Sequence, residues 1–199
     1  MDVLEPSGKV RELIQGYLAD VIAMDRQLGR LLNALDTYAL NPIVVLTSDH
    51  GYSLGHHDAL YKFTLWDDAG RAPLVMRYRG CPAGLTIPET VSLLDIAPTF
   101  LHRAALNIPD EMDGDSLFPL INNPAVRRTS GAMTTMGESL SFRDNRYRIT
   151  RYAPGGELEL YDQLADPDAR DNIADDPAHS ALKDAMLAKL EDRYAEWTG

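Results

Sequence analysis

Apolar residues recur at intervals of three and four from Val10 to Leu35 (Val10, Leu13, Ile14, Tyr17, Leu18, Val21, Leu28, Leu31, Leu32 and Leu35), with a gap near Met24. That spacing predicts an amphipathic helix with one buried stripe. Ser7 stands where an N-cap is needed, and Asn41-Pro42 ends the pattern. Ile43-Val44-Val45-Leu46 follows without alternation. It predicts a strand buried on both faces, the habit of parallel sheets in α/β folds. Residues 73–78 predict a second strand. Residues 94–105 predict a helix with Pro98 near its first turn, where proline is tolerated. Residues 107–124 are rich in Pro, Asp, Gly and Asn and read as a connecting loop.

The pattern changes after about residue 128. Residues 131–136, 138–142, 147–152 and 158–161 predict four short strands, with Asp144-Asn145 and Gly155-Gly156 as turn signals. This is the signature of an antiparallel meander. A last helix starts at Asp176-Pro177, cap and first-turn proline in the favoured order, and Leu182, Met186, Leu190 and Tyr194 line one of its faces. The expected organisation is an α/β part over residues 1–127 and a C-terminal antiparallel subdomain with a closing helix over residues 128–199.

Composition narrows the choice of partner. The chain has 199 residues, 45% hydrophobic and 25% charged, with a net charge of -11. An acidic chain repels nucleic acid and anionic membranes, so neither is expected as a partner. No apolar run approaches membrane-spanning length. The single cysteine, Cys81, excludes an intrachain disulfide, so cysteine usage does not indicate an oxidising compartment. The opening residues, Met1-Asp2-Val3-Leu4-Glu5-Pro6, are short and acidic and do not read as a signal peptide.

The residues able to do chemistry are concentrated in one place. Three of the five histidines, His50, His56 and His57, lie in an eight-residue stretch on a glycine-bearing loop after the first strand, followed by Lys62. Ligands of open α/β sheets bind at the carboxyl ends of strands. Adjacent Asp49 and His50 can offer an oxygen and an imidazole to one divalent cation. Lys62 can supply a positive charge to an anionic substrate. On the residues alone, the same stretch reads equally as a solvated polar loop with a surface histidine pair.

Val44-Val45-Leu46-Thr47-Ser48-Asp49-His50-Gly51, then Leu54-Gly55-x-His57 and Lys62, resembles the second metal-site segment of the sulfatases, in the alkaline phosphatase superfamily. Arg71-Ala72-Pro73-Leu74-Val75, Val91-Ser92-Leu93-Leu94-Asp95-Ile96-Ala97-Pro98-Thr99, Asp113-Gly114-Asp115-Ser116-Leu117, and Glu159-Leu160-Tyr161-Asp162 with Asp171-Asn172-Ile173-Ala174 resemble later segments of that family, in order. The Asp-His pair, in place of the common Asp-Asn, is similar to the iduronate-sulfatase-like and phosphonate-monoesterase-like branches.

The resemblance implies an α/β fold: a partial sulfatase-like mixed sheet flanked by helices, followed by the small antiparallel sheet and closing helix. It implies Asp49 and His50 as metal ligands and Lys62 and His57 as catalytic groups near the transferring group and leaving oxygen. Calcium (Ca2+) ranks first as the metal, with Mn2+ or Zn2+ as alternatives because of the imidazole. The family's formylglycine motif and N-terminal aspartate pair have no counterpart in these residues. Cys81-Pro82-Ala83-Gly84 does not match the motif. The expectation is therefore a sulfuric ester hydrolase fragment, inactive alone, acting in the full protein on a small-molecule sulfate or phosphate ester. The alternatives are a phosphodiesterase or phosphonate monoester hydrolase of the same superfamily, or a non-catalytic module that forms homo-oligomers through its exposed apolar stripe.

Overall fold

The computed structural model describes residues 8–123 and 125–198. They fall into two compact units, one ending at Cys81 and one starting at Pro82.

The first unit opens with α1 (Lys9–Thr37), which has Gly8 at its N-cap; Ser7 lies outside the described residues. The apolar stripe forms as expected, but it is not buried. No residue of α1 is buried, and Leu18, Ile22 and Leu31 are about half exposed, at 51%, 53% and 53%. Val10, Leu13, Ile14, Leu28, Leu32 and Leu35 are partly covered, so the open stretch is the middle of the helix. Periodicity specifies that a helix has a partner face; it does not say that the same residues supply one.

The strand after α1, β1 (Val44–Thr47), also differs from expectation. It is half-buried and pairs antiparallel with β4 (Leu74–Arg77), with Val45 opposite Met76 and Leu46 opposite Val75. Among the described residues this is a two-stranded sheet. A β-branched run fixes strand conformation, whereas its partners and their direction come from segments elsewhere. Between the two strands lie the β2–β3 hairpin (Ser53–Leu54 and Leu60–Tyr61) and the one-turn α2 (Asp67–Gly70).

The second unit holds α3 (Ile96–Arg103), α4 (Phe118–Asn122), the meander β5 (Ala132–Met136), β6 (Ser139–Arg143), β7 (Tyr147–Arg151), β8 (Leu158–Asp162), and α5 (Ser180–Thr198). The four strands form one antiparallel sheet in sequence order. Leu140, Phe142, Ile149 and Leu160 share one face and form a core with Ala174, Met186 and Leu190, flanked by Leu182 and Tyr194. Complete burial of Ile149, Leu160 and Leu190 contributes about 1.5–3 kcal/mol each. Asp176 caps the turn before α5 by accepting from the Ala178 N–H at 2.9 Å.

The opposite face of the sheet is polar and buried. The Thr150 hydroxyl lies 2.9 Å from Ser141 Oγ, and Arg148 Nη1 donates to the same oxygen at 3.0 Å. Burial pushes Arg148 down to about 10, still cationic at neutral pH.

Arg127-Arg128 reads as a solvated pair, and Arg127 is exposed, but Arg128 is the hub of a buried ion-pair network. Its Nη1 lies 2.8 Å from Asp95 Oδ2 and its Nη2 donates to Asp95 Oδ1 at 3.0 Å. Asp95, fully buried, also accepts the N–H groups of Ser92 and Asp115 at 2.7 and 2.8 Å. Gly114 allows this closeness, since a Cβ there would sit 2.2 Å from the Leu94 carbonyl oxygen. Buried Glu89 accepts from Asn145 and so ties the same region to the β6–β7 turn.

Asp144 in that turn bonds Lys189 of α5 at 2.6 Å. Burial alone would push its carboxyl up, but Lys189 and the N–H groups of Tyr147 and Arg146 outweigh it and hold the group below its ordinary value. A depressed folded pKa stabilises the fold above the unfolded value of about 3.9, and that contribution is lost as pH falls through the folded value. Urea unfolding between about pH 5 and pH 2 should therefore show a shallower loss of stability on acidification for Asp144→Asn than for the parent. Asp95→Ala leaves the Arg128 cation only the exposed Asp115 carboxylate, at 3.3 Å, and should cost about 3–5 kcal/mol in the same measurement at neutral pH.

Candidate metal and leaving-group site

The site is built on the turn after β1. Ser48 Oγ donates to the His50 carbonyl at 2.9 Å, and the His50 N–H donates to Asp49 Oδ1 at 3.0 Å. His50 Nδ1 lies 2.7 Å from the Gly51 carbonyl oxygen. A carbonyl can only accept, so Nδ1 carries the proton. In the neutral ring Nε2 then presents its lone pair, the tautomer in which histidine binds metals. That Nε2 is 3.5 Å from Asp49 Oδ2, whose carboxylate is 85% exposed. One carboxylate oxygen and one oriented imidazole nitrogen fit a divalent cation. Among the described residues no cluster of three His, Cys, Asp or Glu is placed to hold one. The two therefore fit as part of a ligand set.

Gly51 fixes where this turn sits. Its N–H donates to the Ala69 carbonyl at 2.7 Å, and a Cβ would fall 1.9 Å from the Asp68 carbonyl oxygen. Only glycine lets the turn press against the backbone of α2 this closely.

The β2–β3 hairpin carries the second group of residues. Gly55 (φ 104) starts a tight turn in which its N–H donates to the Ala59 carbonyl at 2.9 Å. His57 takes a left-handed conformation, φ 50 and ψ 33, as does Asp58 at φ 54. The His57 ring stacks on the Trp66 indole, centroids 4.2 Å apart and planes 20° apart, and also meets the His56 ring at 4.2 Å. Lys62 follows β3 and is exposed.

Asp49 and His50 thus meet at the end of β1, while His57 stands in an aromatic stack within the hairpin and Lys62 lies exposed just after it. Two residues of this region carry roles that sequence reasoning missed. His56 is held by Asp68, Nδ1 to Oδ2 at 2.6 Å, although Asp67-Asp68 reads as a solvated or capping turn. The signal was the carboxylate at the start of a short helix beside a histidine-rich loop, too common to single out.

A family model described as N-sulphoglucosamine sulphohydrolase, C-terminal, matches residues 55–196. The chain belongs to the sulfatase family. A sulfatase of Formosa agariphila is 35% identical over 194 residues, which cover 96% of this chain and 38% of that protein. A solved structure in complex with its substrate D-glucosamine-2-N,6-O-disulfate superposes with a TM-score of 0.77 at 31% identity, covering 90% of this chain and 40% of that one. The phosphonate monoester hydrolase of Agrobacterium radiobacter gives 0.72 at 29% identity, covering 86% and 39%. The chain therefore spans about two fifths of the length of the sulfatases it matches. The mixed α/β architecture is the one these sulfatase-family structures share.

Gly51→Ala should displace the turn from α2 and destabilise the fold by about 1–3 kcal/mol. Urea unfolding measures the loss, and faster hydrogen exchange at the residue 51 amide locates it.

Proposed function

We propose that this chain is the C-terminal part of a sulfuric ester hydrolase, with Asp49 and His50 holding one side of its metal and His57 and Lys62 serving the leaving group. The observation that carries the reading is the placement of the His50 ring: Nδ1 lies 2.7 Å from the Gly51 carbonyl oxygen and Nε2 lies 3.5 Å from Asp49 Oδ2, so in the neutral ring the Nε2 lone pair stands beside that carboxylate.

Bound there, a divalent cation would supply Lewis-acid stabilisation of charge on the ester oxygens. Calcium ranks first from the family resemblance, with manganese or zinc suited to the imidazole. The nucleophile, a formylglycine in sulfatases, is expected outside these residues, as are the remaining ligands. This chain's own contribution is positional and electrostatic. Asp49 and His50 orient the cation, Lys62 offsets negative charge on the transferring group, and His57 donates to or stabilises the departing oxygen. The global charge of -11 makes such local cations necessary for an anionic substrate.

A sugar sulfate is the favoured substrate class, supported by the likeness to the structure bound to a disulfated glucosamine. Phosphonate or phosphate ester hydrolysis is the second reading, supported by the Agrobacterium enzyme and by the Asp-His pair that points to the same branch.

In the whole protein, Asp49→Ala or His50→Ala should weaken metal affinity about 10- to 100-fold and lower kcat/KM for an aryl sulfate at least as much. The 199-residue chain alone should show no turnover. Metal-dependent hydrolysis by the isolated chain would overturn the division of labour proposed here. Preference for a phosphonate ester would select the second reading, and a stable homodimer that binds no metal would point to the non-catalytic module.

A further inference from the structure

His57 is held in place by more than its own backbone. Its left-handed conformation is one that residues with a Cβ adopt reluctantly, and such conformations persist only where the surroundings over-determine them. Two rings do so: the indole of Trp66, stacked at 4.2 Å, and the imidazole of His56, tilted at 59° and also at 4.2 Å.

The His56 ring is fixed in turn. Its Nδ1 lies 2.6 Å from Asp68 Oδ2; a carboxylate accepts, so Nδ1 donates. Its Nε2 is buried and without a hydrogen-bond partner. Asp68 is thus the group that sets the angle of this ring.

Trp66 and Asp68 come from the same turn of chain, at the N-cap and in the first turn of α2. The main chain of Asp68 is also the surface on which Gly51 rests, closely enough that a Cβ on Gly51 would meet the Asp68 carbonyl oxygen at 1.9 Å. One residue therefore touches both groups of the candidate site. Its backbone abuts the turn that carries Asp49 and His50, and its side chain grips the ring that packs on His57.

We infer that Asp68 and His56 are positioning residues that hold the His57 imidazole in register with the Asp49–His50 turn. The inference rests on the proposed role of His57 at the leaving group, but the placement itself is testable without catalysis. His57 packed against an indole has ring-proton resonances displaced by the ring current of Trp66, and that displacement reports its position in the full chain.

Asp68→Ala and His56→Asn are the informative variants, the first removing the acceptor and the second keeping an amide donor for Asp68 so that the loop retains its hydrogen bond. Both should move the His57 ring resonances toward those of a free imidazole while leaving the amide spectrum of β5–β8 and α5 unchanged. Asp68→Glu, which restores an acceptor, should recover part of the displacement. In the whole protein, His56→Asn should lower kcat for an aryl sulfate about 10- to 100-fold with little change in KM, as misplacement of a catalytic group does. Unmoved His57 resonances in both variants, with the rest of the spectrum intact, would overturn the inference even if turnover fell. Resonances that move while kcat is unaffected would uphold the positioning and count against the role proposed for His57 itself.

Discussion

The contact on which the first unit turns is the approach of Gly51 to the backbone of α2. It involves one N–H donated to the Ala69 carbonyl and one missing Cβ beside Asp68. Small as it is, it fixes how closely the turn after β1 approaches α2. The Asp49–His50 turn takes its place from it. Trp66 and Asp68, on the same turn of helix, carry that placement to the hairpin. The proposed site, with its cation and leaving-group residue held at a fixed separation, would depend on this seam.

The second unit is stabilised differently. Its hydrophobic centre is a sheet face covered by one helix, and its polar residues are used as ties between segments. Asp95 gathers the N–H groups of Ser92 and Asp115 and the guanidinium of Arg128; Glu89 reaches Asn145. Breaking such pairs is costly because it leaves one buried charge, even where the intact pair adds little net stability. The family-like segments around Asp95 and Gly114 are thus two sides of one structural junction: the carboxylate organises the loop and the glycine lets it close.

Much of this was legible in the sequence, for physical reasons that differ by element. β5–β8 and α5 were readable because alternation, turn residues and an i, i+4 stripe are local signals, and their partners are near in the chain. Asp49 and His50 were readable as a pair because adjacency alone brings them together. The direction of β1 and the open middle of α1 were not readable, since pairing and coverage depend on residues outside the element. Arg128 looked solvated because its acceptor lies 33 residues earlier, and periodicity carries no such information. His56 and Asp68 are 12 apart and meet only because the hairpin folds back on α2.

The seam at Gly51 also divides the loop region by its tolerance to change. Side chains cannot be added at the glycine, and the aromatic stack leaves little freedom at residues 56, 57 and 66. The hairpin's far side is open by contrast: Tyr61 and Phe63 are 52% and 74% exposed, flanking Lys62. Substitutions should therefore be absorbed at residues 61–63 and resisted at 51, 56, 57 and 66, so one short stretch of chain joins a fixed half to a permissive one.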